Sequence, residues 1–175
     1  MQAVRSSLFG TAIFALALAS APAAAAEHQQ IDLGFFGVST NIAASELGLP
    51  VYPGAIPHRK IHDEDSSAKV WAGLGSLGFK VVVIELDSAD PPPKVAAWYR
   101  PALARFGAVL DCSAAAAGPA GKDDDFLDCR HDRPKPGDFL YKSGKHHEMH
   151  VVSVEREGTG SRIALVYVNL RGFGD

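Results

Sequence analysis

This chain has no clustered positive charge. Its 17 Lys and Arg are scattered among 20 Asp and Glu, so they do not assemble the dense cationic face that nucleic acid requires. Long apolar runs are missing as well. The N-terminal run from Leu8 to Ala19 falls short of the roughly 20 residues that span a bilayer. No cysteine stands directly after that run and the chain has no twin arginine, which argues against a lipid anchor and a twin-arginine export route. Cysteine itself is scarce: Cys112 and Cys129 are the whole complement.

What the N-terminus does contain is one basic residue, Arg5, then the apolar run, then small residues with Ala24 and Ala26 at the spacing a signal peptidase reads. That pattern predicts a signal peptide over residues 1–26, cleaved before Glu27, and hence a bacterial periplasmic or secreted protein with no membrane anchor after cleavage. Residues 27–175 are then about the size of one domain with one core. Without Arg5 they hold 16 basic and 20 acidic side chains, a net charge of −4 with histidine neutral. Export puts thiols where they are oxidised, so Cys112 and Cys129 are expected to pair, closing a loop of about 18 residues and contributing roughly 3 kcal/mol. The competing reading of DCRHD takes Cys129 as a nucleophile with His131 as its base. It needs a reduced thiol of low pKa, which export opposes.

Along the chain, IDLGFFGVST is rich in strand formers, and LPVYPGAIPHRK places Pro53 and Gly54 at the centre of a type II turn opened by Tyr52. The runs flanking GLGSLG read as a hairpin with Val82, Ile84 and Leu86 on one face. Gly73, Gly75 and Gly78 spell a dinucleotide-loop pattern, but such a loop must open a helix and this one leads into a strand. SADPPPKVAAWYRPALARFG, residues 88–107, predicts a long helix capped by Ser88 or Asp90 and kinked at Pro101. Val95, Trp98, Tyr99, Ala102, Leu103 and Phe106 make its apolar stripe. After Ala108 the pattern is short strands, AVLDC, DFLDCRH, DFLYK, MHVVSVERE and RIALVYVNL, separated by Gly, Pro and charged turns. The expected fold class is α+β, a mainly antiparallel sheet with one long helix packed on one face.

The combination of GLPVYPGA before the hairpin and KVAAWYRPALARFG after it resembles a pattern in exported bacterial proteins of uncharacterised function, over Gly48 to roughly Leu170. Tyr52, Pro53 and Gly54 match its turn, and Trp98, Tyr99, Leu103 and Gly107 match its helix. The resemblance implies structural roles for these residues and carries no catalytic one.

Chemistry concentrates in GKHHEMHVV, which holds three of the seven histidines. In a regular strand His146, Glu148 and His150 share a face, with His147 and Met149 opposite. Two imidazoles and a carboxylate suit zinc, and copper is an alternative; His58, His62 or His131 would have to complete the set. Yet His146 and His150 would lie roughly 13 Å apart along an undistorted strand, and His150 has the parity of the apolar Val152 and Val154. Ser76 lacks the glycine that a nucleophile elbow needs two residues before it. Glu64 with Asp65, and Asp123 to Asp125, read as solvated runs without catalytic or calcium-loop spacing. The sequence therefore favours an exported non-catalytic domain, without a cofactor, that binds a protein partner or a small-molecule ligand. The alternative is a metal-binding or metal-dependent protein using His146, Glu148 and His150.

Overall fold

The computed structural model describes residues 31–32, 36–59, 66–74, 77–114 and 127–171. The expected signal peptide at residues 1–26, His62, Glu64, Asp65, Gly75, Ser76 and the Asp123–Asp125 run lie outside them. Nine strands are present among the described residues: β1 (Ile31–Asp32), β2 (Phe36–Thr40), β3 (Ile56–Pro57), β4 (Ser67–Leu74), β5 (Leu77–Ser88), β6 (Leu110–Asp111), β7 (Phe139–Lys145), β8 (Glu148–Glu157) and β9 (Gly160–Arg171). They form one sheet in the order β1-β2-β4-β5-β9-β8-β7-β6, with β3 also paired to β5. Every pairing is antiparallel.

The expected long helix over residues 88–107 is not formed, and the architecture is mostly antiparallel sheet with a single short helix. Helix α1 spans Pro92–Leu103 and passes into a 3-10 turn at Ala104–Phe106. Its start is set by Asp90-Pro91-Pro92-Pro93. A residue that precedes proline is driven out of the helical region, and Pro91, the N-cap, is extended at φ −69° and ψ 152°. Neither Ser88 nor Asp90 caps it. Asp90 instead accepts hydrogen bonds from the Tyr52 hydroxyl at 2.7 Å and the Lys94 ammonium at 2.9 Å. At the other end Pro101, which has no N–H to donate, stands two residues before the α-helix tightens into the 3-10 turn.

The strands run longer than the sequence pattern implied, with β5 and β9 at 12 residues each. Alternation in β5 buries Val82, Ile84 and Leu86 and leaves their neighbours partly exposed, the period-2 signature of a sheet with one covered face. Two short lids cover that face. Helix α1 lies over β7, β8 and the near side of β9, bringing Val95, Ala96, Tyr99 and Leu103 into the core. The chain from Ile42 to Tyr52, with its 3-10 turn at Ala44–Leu47, lies over β5 and β9 and buries Leu47, Leu49 and Tyr52. Trp98 was expected in the buried stripe but sits at its margin, edge-on to Tyr52 and Tyr99.

The two lids are tied together. The Tyr52 backbone N–H donates to the Tyr99 hydroxyl at 3.1 Å. Tyr52 also opens the turn at Pro53 and Gly54, where the Ala55 N–H donates to the Tyr52 carbonyl at 3.0 Å and Gly54 takes φ +77°. That left-handed value at the third turn position favours glycine.

On the opposite face, Cys112 and Cys129 form a disulfide. They cluster with Leu110 and Leu127 against Leu140 and Met149. Lys142, buried beneath, donates to the Asp128 carbonyl at 2.8 Å and pairs with Asp132 at 2.7 Å, fastening this segment to β7. Cys129 therefore carries no thiolate, and the nucleophile reading with His131 falls.

Candidate functional site

Below the junction of the two lids, at the β7–β8 hairpin end of the covered face, lies an open cleft of about 480 Å³. The ladder register builds its floor. Val82, Tyr167, His150 and Ser143 stand side by side across β5, β9, β8 and β7, and the next row outward holds Lys80, Asn169, Glu148 and Lys145. The first row closes the apolar core and the second is polar, so the cleft lies on the border between them. From above, Phe106 descends from the end of α1, and Glu46, Leu47 and Gly48 from the first lid. Gly48 closes the 3-10 turn of that lid at φ +66°, and a Cβ there would sit 3.4 Å from the Phe106 ring. Both the backbone and the space favour glycine.

His150 is the buried ionisable group of the cleft, 6% exposed. Its ring stacks on Phe106 and tilts against Tyr167 with centroids 4.9 Å apart. The Leu47 carbonyl bonds the imidazole, while Nδ1 is buried with no hydrogen-bond partner. Burial pushes the imidazole below its ordinary 6.5, and Arg105 adds to the effect; Glu148 and the Leu47 carbonyl pull the other way. The ring is thus neutral at pH 7. An Nε2–H donated to Leu47 would leave Nδ1 as an unused acceptor, and Nε2 is indeed the nitrogen nearest Gly48.

Charged groups of both signs surround this aromatic wall. Glu46 pairs with Lys69 at 2.9 Å and lies 3.8 Å from Lys80. Lys80 in turn lies over the Tyr167 ring, 5.6 Å from its centroid. Across β9, Glu148 accepts the Tyr167 hydroxyl at 2.9 Å and stands opposite Lys145. Arg105 donates to the Gly48 carbonyl and so holds the lid to the end of α1.

The structure separates the histidine set that the strand pattern brought together. GKHHEMHVV is not one strand but a hairpin: Lys145 pairs with Glu148, and His146 with His147 form its two-residue turn. His146 is exposed in that turn, while Glu148 and His150 keep a common face. His58 lies on the other side of the sheet against Asp87, Nδ1 to carboxylate at 2.9 Å, and His131 is exposed in the disulfide segment. Among the described residues no three His, Cys, Asp or Glu side chains converge in a metal-holding group. The residues that the sequence reading missed are Glu46, Lys80, Phe106, Lys145 and Tyr167. One signal pointed to Tyr167: EREGTGSR is a hairpin turn, and counting back from it sets Tyr167 opposite His150. Glu46 and Phe106 reach the cleft through lid packing, for which no local pattern exists.

Comparison with protein-family models, with curated proteins and with solved structures gives no match to this chain.

Proposed function

We propose that this is an exported, non-catalytic binding domain, and that the cleft beside His150 takes a small zwitterionic ligand of the free amino acid class. The observation that carries the reading is the arrangement of charge around an aromatic wall. Lys80 beside Glu46 and Lys145 beside Glu148 offer a cation and an anion at two separate places, with Phe106, His150 and Tyr167 between them. A volume of about 480 Å³ lies within the range of roughly 300 to 1,000 Å³ typical of small-molecule sites. His150 is held neutral and engaged with a backbone carbonyl, and Glu148 holds a phenol, so both serve here as wall rather than as acid and base. Export is supported by the N-terminal charge and apolar pattern, and a disulfide is consistent with an oxidising compartment.

Titration of the isotope-labelled protein with glycine, glutamate, lysine and phenylalanine tests the proposal. The expected result is saturable amide shifts at Gly48, Glu148 and His150 with at least one of them, lost in Lys80→Ala and in Glu46→Gln. Shifts that are absent, or that persist in both variants, would refute it.

A further inference from the structure

The covered face accounts for only half of the sheet's apolar side chains. Register places Val70, Val81 and Val168 side by side in one row of the opposite face, Val83 with Val166 in the next, and Phe79 with Leu170 in a third. None of these is fully buried, and Phe79 is 37% exposed, whereas Val82, Ile84 and Leu165, which alternate with them, are at most 5% exposed. Among the described residues the disulfide segment meets this face at Leu140, Lys142 and Met149, on β7 and β8. Among the described elements, those that pack on β5 and β9 from outside the sheet, α1 and the 3-10 turn Ala44–Leu47, do so from the other side.

The same rows continue onto β2 and β8 through Phe36, Val38 and Val151, and five strands about 4.8 Å apart by three rows about 6.6 Å apart give this patch an area of roughly 400 to 500 Å². Patches of that size on a monomer are often functional. Two such faces together would bury roughly 800 to 1,000 Å², the lower margin for a specific interface, which fits a reversible association. The rim carries both signs, with Arg162 opposite Asp87 on β5 and opposite Glu155 on β8, so a symmetry-related copy meets charge of either sign. An anionic lipid surface would call for a rim rich in Lys and Arg, and this rim carries more acid than base.

We propose that this face is the interface of a reversible homodimer in which two sheets pack face to face with Val81 and Val168 at the two-fold axis. Strands of the two copies would cross at about 30°, with the sheets about 10 Å apart.

Sedimentation velocity on protein recovered from the periplasm of an expressing bacterium, over micromolar to millimolar concentration, reads the association directly. The expected result is a shift from monomer to dimer mass, weakened about tenfold or more by Val81→Asp or Val168→Lys. Because those changes could impair folding, a second arm adds one cysteine to the disulfide-bonded protein. Val168→Cys is expected to give a covalent dimer on mild oxidation, whereas Thr159→Cys, in the exposed β8–β9 turn, stays monomeric. A monomer at all concentrations, or Val168→Cys linking no faster than Thr159→Cys, overturns the proposal. So does a dimer that folded Val81→Asp leaves intact, or a monomer that adsorbs through this face to phosphatidylglycerol vesicles.

Discussion

The imidazole of His150 lies flat against Phe106, with ring centroids 3.6 Å apart and planes 13° from parallel. One ring comes from β8 and the other from the turn that ends α1, so the contact joins the second lid to the sheet at the border of the cleft. Both rings are shielded on the outer side by the first lid through Leu47 and Gly48.

Because burial lowers the His150 pKa below 6.5, the unfolded chain binds a proton there before the folded protein does. Stability contributed by the neutral ring is therefore complete above about 6.5 and falls as pH drops from the unfolded value toward the folded one. Thermal unfolding between neutral and mildly acidic pH should show a steeper loss in the wild type than in His150→Phe, which cannot titrate. Equal slopes would mean that His150 is solvated.

Tyr99→Phe removes the acceptor of the Tyr52 N–H at a site where Tyr52 is 5% exposed. Leaving a buried donor unpaired costs about 1 to 3 kcal/mol. Urea denaturation should show a lower midpoint with an unchanged slope, since no surface is newly exposed.

Leu103 is fully buried beneath α1 while Trp98 lies at the core margin. Leu103→Ala should cost about 2 to 5 kcal/mol, and Trp98→Ala less than that despite the larger side chain removed. A larger loss for Trp98→Ala in chemical denaturation would place the indole in the core.

Zinc is expected to bind no more tightly than to scattered surface groups, because His146 sits in the hairpin turn and His150 is sealed between Phe106, Tyr167 and the Leu47 carbonyl. Calorimetric titration of untagged protein checks this. One stoichiometric submicromolar site that His150→Ala abolishes would restore the metal reading.

Local chemistry alone determined several features of this protein. Proline at 53 and glycine at 54 set the turn, because each residue restricts or permits one φ range wherever it occurs. Alternation in KVVVIELD marked Val82, Ile84 and Leu86 as a buried strand face, because the strand period is two whatever the partner. The two cysteines left one possible intramolecular pairing. Tertiary structure decided the rest. The helix stripe from Val95 to Phe106 could not reveal that triple proline delays its start to Pro92, nor that the segment Ile42–Tyr52 shares the work of covering the sheet. HHEMH read as a continuous strand because period-2 parity says nothing about where a hairpin folds back, and the turn falls on His146 and His147. The cleft draws its walls from five separate stretches, around residues 46, 80, 106, 148 and 167. Such a site arises from strand register and lid packing, which depend on contacts between residues far apart in the chain and leave no mark on any single stretch of it.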